Sequence, residues 1–289
     1  MRLKVTITLA AAALLGGLTA CNNEFDRPQA DRVPENAVRI TASIHNPFAA
    51  TRSMPTGTAE EQTKFKAGDE ILVYAPNSDQ HATYRFDGTA WKPRDGEYLL
   101  WKSDQEDFRA FYPAEWGSVH ISGAPYDYQT DQSSIDKIAK ADLMVGDLNH
   151  QAKTKEPLHF TMQRWMARFI VKIAGFNSEF PAGTKVDNVR FHSRRAGASQ
   201  ATYTPYADGE GEAGSTYTVL VPDNASDHTV SLTVGDKTMT AKLRDYTPDK
   251  GKSYTFNLTV GKEKLEPGEV TVADWSGSAV ITGGEAEAD

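Results

Sequence analysis

Cysteine occurs once in the 289 residues, at Cys21, so no disulfide can form within the chain and no cysteine-based metal cluster can be built. Basic residues are scarce as well: 31 Lys and Arg stand against 39 Asp and Glu, a formal net charge of −8. That balance disfavours a nonspecific electrostatic grip on nucleic acid or on an anionic membrane surface, and no nucleic-acid partner is expected. Long apolar runs are absent; Val5–Leu18 is shorter than the roughly 20 residues of a spanning helix and nothing later approaches it. There is no phosphate-cradling glycine loop, no His-Glu-x-x-His, no nucleophile elbow and no dinucleotide fingerprint. No cofactor and no catalytic residue is therefore expected, and an enzyme is the weakest functional class.

The isolated reactive side chains point the same way. His45, His81, His120, His150, His159, His192 and His228 are scattered with no pair at i, i+4, so they are expected at surfaces and sheet edges and no metal site is expected. Asp104, Glu106 and Asp107 could supply the two carboxylates a glycosidase needs, but a solvated loop is the simpler reading. Asp127, Asp131 and Asp136 lack the register of a calcium loop. Of the tryptophans, Trp91, Trp101, Trp165 and Trp275 are expected to pack in or over a core, while Trp116, beside Gly117 in an expected loop, is the least constrained and the best placed to stack on a sugar. Arg194-Arg195 is expected at the surface.

What is present begins at the N-terminus. Arg2 and Lys4 precede the apolar run, which ends in Leu18-Thr19-Ala20-Cys21, the layout of an export signal. The last four residues resemble the lipobox of bacterial lipoproteins, in which the cysteine takes a diacylglyceryl group and becomes the mature N-terminus. Residues 1–20 are thus expected to be a lipoprotein signal peptide, and 21–36, polar with Pro28 and Pro34, a tether. Loss of Arg2 and Lys4 leaves 29 basic against 39 acidic residues, so the body would be held to a membrane by acyl chains rather than by charge.

Beyond the tether, strand patterns recur. Val38, Ile40, Ala42 and Ile44 share one face of an alternating segment and Arg39, Thr41 and Ser43 the other. The pattern stops at Asn46-Pro47, and residues 49–57, small residues with Pro55 and Gly57, form an expected protease-accessible loop. Further strands are expected over 70–75, 83–86, 98–101, 108–112, 158–162, 167–174, 186–192, 216–221, 228–234, 238–243, 253–260, 269–273 and 278–282, with one short helix within 133–140. Such spacing points to an all-β sandwich or barrel. A cut near residue 163 gives two units of ordinary size: an N-terminal β-sandwich over 37–162 and a C-terminal one over 163–289 ending in an acidic tail. The polar stretch 124–155 is expected to be mostly loop.

A set of phrases in order resembles the fimbrillin family of Bacteroidota, the subunits of type V pili. They are Phe65-Lys66-Ala67-Gly68-Asp69-Glu70-Ile71-Leu72-Val73-Tyr74, Tyr84-Arg85-Phe86-Asp87-Gly88 up to Trp91, and Phe108-Arg109-Ala110-Phe111-Tyr112-Pro113. Ala141-Asp142-Leu143-Met144-Val145, Phe160 through Val171, Tyr254-Thr255-Phe256-Asn257-Leu258 and Val270 through Trp275 complete the series. The resemblance implies two tandem transthyretin-like β-sandwich domains and a structural, adhesive role with no chemistry of its own. It also implies an outer-membrane, surface-exposed lipoprotein that ends in a fimbrium. There an Arg-specific protease cuts after the first strand, and a neighbouring subunit's strand fills the groove by β-augmentation. In that scheme Val38, Ile40, Ala42 and Ile44 belong to the removable strand and Arg52-Ser53 is the processing site, with Arg27, Arg32 and Arg39 as competing cut points. The donor residues would be Val270, Val272, Ala279, Val280 and Ile281, a mediocre set because Ser276-Gly277-Ser278 interrupts it. Partners are then other pilus subunits, the outer membrane and the protease. The alternative is a stand-alone surface lipoprotein that captures glycans or host ligands without polymerising.

Overall fold

The computed structural model describes residues 33–45, 64–195, 197–243, 247–261, 265–274 and 277–278. Alternation of apolar and polar side chains lays most of these into strands, and three sheets result. The first has seven strands: β1 (Ile40–Ile44), β2 (Glu70–Ala75), β3 (Gln80–Phe86), β4 (Trp91–Pro93), β5 (Gln105–Tyr112), β6 (Met144–Ala152) and β7 (Leu158–Arg164). Their order is β1-β7-β6-β5-β2-β3-β4, antiparallel except for β1, which runs parallel to β7.

Two further sheets face each other over one core. The longer is made of β8 (Met166–Phe176), β11 (Tyr206–Asp208), β12 (Thr216–Pro222), β15 (Lys252–Val260), β16 (Leu265–Asp274) and β17 (Gly277–Ser278), in the order β11-β12-β8-β15-β16-β17. The shorter is made of β9 (Asp187–Arg195), β10 (Gln200–Tyr203), β13 (Ala225–Val234) and β14 (Lys237–Lys242), in the order β10-β9-β13-β14. Phe169, Val171, Val219, Tyr254, Phe256 and Leu258 from one sheet meet Phe191, Val230 and Leu232 from the other in a continuous cluster. The protein is an all-β sandwich fold.

Period-2 alternation also explains how the first sheet serves two cores at once. On β2, Ile71, Val73 and Ala75 face a core shared with Val38, Ile40, Tyr84, Phe108, Phe160 and Met162. Leu72, between them, faces the other way and packs with Phe111, Trp116, Ile138 and Leu143 against Met166 and Leu220 of the longer sheet. Two helices cover that opposite face. In α1 (Ala114–Ser122), Gly117 lets the helix lie close on β5: a Cβ there would sit 2.8 Å from that of Phe111. The helix ends at Gly123, whose φ of 70° is the left-handed conformation that glycine adopts without strain. In α2 (Ile135–Ala141), Ser134 caps the start by accepting from the Lys137 backbone N–H.

Several local expectations are corrected. Residues 98–101 form no strand; only Leu100 makes an isolated bridge, to Ala37. The stretch 124–155 holds α2 and the nine-residue β6. Polar residues dominate β6 after Gly146 because that part lies on an exposed surface, which hid the strand from a search for apolar alternation. The helix α1 was not expected either, since Trp116-Gly117 reads locally as a turn.

Candidate functional site

The N-terminal segment is held on two sides at once. Val38 donates its N–H to the Leu99 carbonyl at 2.7 Å, and Trp101 donates to the Asn36 carbonyl at 2.9 Å. From Arg39 onward the same segment turns to β7: Leu158 donates to the Arg39 carbonyl and His45 to the Met162 carbonyl, each at 2.8 Å, with Ile40 opposite Leu158 and Ile44 opposite Met162. Residues 36–45 thus join the free flank of β7 to residues 99–101 and satisfy the backbone groups of both.

The side chains complete the fit. Val38 is fully buried and Ile40 is 4% exposed, while Ala42 and Ile44 pack half-buried against the same core. Burying Val38 and Ile40 contributes about 1.5–3 kcal/mol each. Beneath them the Tyr84 hydroxyl donates to the Val38 carbonyl at 2.7 Å and accepts from the Leu99 N–H at 3.3 Å. Burial pushes the phenol's pKa well above its ordinary value, so Tyr84 stays a neutral donor. On the outer face Arg39 and Thr41 are exposed, and the Thr41 and Ser43 hydroxyls both meet the ring of His159. All four apolar residues assigned to the first strand therefore lie on one face against one core. The sequence assigns Tyr84 and residues 99–101 no part in this site. Tyr84 stands in an expected strand, yet nothing local marks a hydroxyl that bonds 46 residues earlier in the chain.

The other assigned residues are placed differently. Val270 and Val272 lie half-buried on β16, packed against the C-terminal core, where β16 pairs with β15. Cys21, Arg52, Ser53, Ala279, Val280 and Ile281 lie outside the described residues, as do Arg27, Arg32 and Trp275. Trp116 is not a loop residue open to a sugar; it is 5% exposed inside α1 and packs edge-on to Phe111, because α1 lies against β2 and β5 and buries it in the cluster with Leu72 and Ile138. Trp91 and Trp101 are buried, and Trp165 is half-buried with the Lys250 ammonium 3.6 Å from its ring centre.

The polar candidates form no common centre. Glu106 is buried at the start of β5, not in a solvated loop, and accepts from the Lys102 N–H at 3.3 Å, while the Asp107 carboxylate accepts from the His150 N–H at 2.6 Å. Asp131 pairs with Lys137, and that hydrogen bond with help from Ser133 pulls its pKa down to about 2. Among the described residues no group of three or more His, Cys, Asp or Glu could hold a metal ion. One histidine departs from expectation: His228 lies fully buried in the sandwich core, where Ser193 Oγ is 3.1 Å from its Nδ1 and the rings of Phe169 and Phe191 pack against it. Arg194 is exposed and pairs with Asp227, while Arg195 lies half-buried over the Tyr128 ring. No helix among the described residues is long and apolar enough to cross a membrane.

The sequence profile of the fimbrillin-like family matches residues 51–275. The chain belongs to that family. Solved structures resemble this fimbrillin-like chain over most of its length. A candidate cell adhesion protein of Bacteroides ovatus aligns at a TM-score of 0.54 and 14% identity, over 86% of this chain and 99% of its own. Another from Bacteroides uniformis gives 0.50 at 17% identity, over 84% and 100%. The tip fimbrial protein Mfa3 of Porphyromonas gingivalis gives 0.42 at 13% identity, over 71% and 93%. Among curated proteins none matches the sequence.

Proposed function

We propose that this fimbrillin-like chain is a structural and adhesive subunit of a surface fimbria, exported as an outer-membrane lipoprotein on Cys21 and assembled by protease-triggered strand exchange. In this reading the body is two tandem domains divided near residue 163, and the exchange takes place in the first. The observation that carries it is the placement of residues 36–45, which fill one core and satisfy two rows of backbone groups from a single terminal segment. Cutting after Arg52 and losing that segment would leave an apolar groove lined by Tyr84, Leu99 and Phe160, flanked by the unpaired groups of β7 and of residues 99–101. Such an edge is a template for another strand. A neighbouring subunit's strand supplies the same groups, and its main-chain hydrogen bonds give affinity whatever its sequence.

The donor belongs to a partner subunit, and Val270, Val272, Ala279, Val280 and Ile281 are this chain's own counterpart. The wide spacing of those residues around Ser276-Gly277-Ser278 fits a subunit that receives one neighbour, an anchor, accessory or tip, better than a stalk subunit. Replacing Arg52 with Ala tests the processing step. Polymers that resist detergent and collapse on boiling should disappear from the gel, and the surface protein should keep its larger mass. Unchanged polymers and mass in Arg52→Ala would show that processing lies elsewhere.

A further inference from the structure

Main-chain pairing and apolar alternation leave one ambiguity in any strand that fills this groove. A shift of one residue turns the apolar face outward and is rejected, but a shift of two keeps alternation and restores a full row of hydrogen bonds. Something outside the groove must separate those registers. His159, exposed on β7, lies beside β1 with its Nδ1 2.9 Å from Thr41 Oγ1 and its Nε2 2.9 Å from Ser43 Oγ. Both ring nitrogens are thereby used by hydroxyls two residues apart on the same strand. Each hydroxyl can donate or accept, so the pair accommodates either tautomer of the ring.

We infer that His159 is a register-selecting residue of the groove, and that the strand it favours carries hydroxyl side chains at two alternate outward positions. This inference rests on the strand-exchange reading above. A two-residue slip in one direction places Arg39 and Thr41 over the ring, and in the other Ser43 and His45. Each slip replaces one hydroxyl by a larger, ionisable side chain and keeps only one of the two hydroxyl contacts with the ring. The apolar positions cooperate weakly: Ala42, the smallest of the four, marks the third position, but it and Ile44 are only half-buried. The selective contact is thus a polar one on the outside of the sheet, where it remains in place for whichever strand occupies the groove.

The test uses the full chain with a specific protease site substituted at residues 52–53, cut in the folded state so that the N-terminal fragment is retained by contacts alone. Labelled synthetic peptides spanning residues 36–46 then compete for the groove, and native mass spectrometry reads the fraction exchanged. The peptide with Thr41→Val and Ser43→Ala should exchange about tenfold less well than the natural one, the size of one to two neutral hydrogen bonds. In a chain carrying His159→Ala the two peptides should exchange equally, and His159→Gln, which can still bond a hydroxyl, should restore part of the preference. Equal exchange of both peptides into the unaltered groove overturns the role of His159 while leaving strand exchange intact. No exchange of either peptide overturns the strand-exchange reading, and the role of His159 in it.

Discussion

Among the described residues two strand pairs are parallel, one in the N-terminal sheet and one in the longer sheet, and they differ in how they are held. In the C-terminal sandwich β15 runs parallel to β8 and is flanked on its other side by a long antiparallel ladder to β16. Its Tyr254, Phe256, Leu258 and Val260 are buried between two sheets. In the N-terminal half β1 runs parallel to β7, and among the described residues the segment's hold on its other side is the short contact that residues 36–38, just before β1, make with 99–101. The first strand can therefore leave with a bounded loss, whereas β15 cannot leave without dividing its sheet. The contrast favours the N-terminal edge as the place for the strand exchange proposed above.

Core truncations should widen that contrast most. Phe256→Ala should cost about 3–5 kcal/mol and raise hydrogen exchange throughout β8, β12 and β15, because the ring is buried against Phe169. Ile40→Ala should cost about 2–5 kcal/mol, with the increase in exchange confined to residues 36–45, β7 and residues 99–101. A global rise in the second variant would contradict the division of the body near residue 163 proposed above. Tyr84→Phe comes next: loss of one hydroxyl leaves the Val38 carbonyl and the Leu99 N–H without that partner, and about 1–3 kcal/mol should be lost, read as faster exchange at the N-terminal edge alone.

Gln132 sharpens the comparison from the junction. Its buried amide accepts from the Leu220 N–H at 2.7 Å and donates to the Leu220 carbonyl at 2.9 Å, tying the segment before α2 to β12 of the other half. Gln132→Ala should cost about 1–3 kcal/mol and, under the proposed division near residue 163, part the unfolding of the two halves in a denaturant titration followed by probes in each. The smallest effect is a pH dependence. Asp131 has a folded pKa lowered to about 2 by its hydrogen bond to Lys137, so its contribution is present above pH about 4 and is lost as the pH falls toward 2. Amide exchange in α2 should rise over that interval, and Lys137→Met should weaken the dependence, leaving the part that the Ser133 hydrogen bonds contribute.

Strands with strict alternation were legible in the sequence because one buried face is enough to announce them, as in Ser253–Val260 and in Ile40–Ile44, whose alternation runs on to Val38 just before the strand. Elements whose burial comes from a neighbour far along the chain were not. The apolar side of α1 depends on a glycine fitting against Phe111, and β6 is paired along its length yet mostly wet. The same rule divides the site. The four apolar residues of the first strand could be read from their spacing, but Tyr84, Leu99 and His159 become part of it only when the chain closes on itself. Trp116 misled for the same reason, since a tryptophan beside a glycine looks exposed until the helix that buries it is known.

The central claim is that the first strand is removed and its place taken by another subunit. Mass spectrometry of the intact chain and its N-terminal peptide, recovered from shed surface fibres and from outer membranes, tests it directly. The account predicts that the chain in fibres starts at Ser53. A diacylated start at Cys21 in the fibre would contradict it, because the first strand would still occupy its own groove.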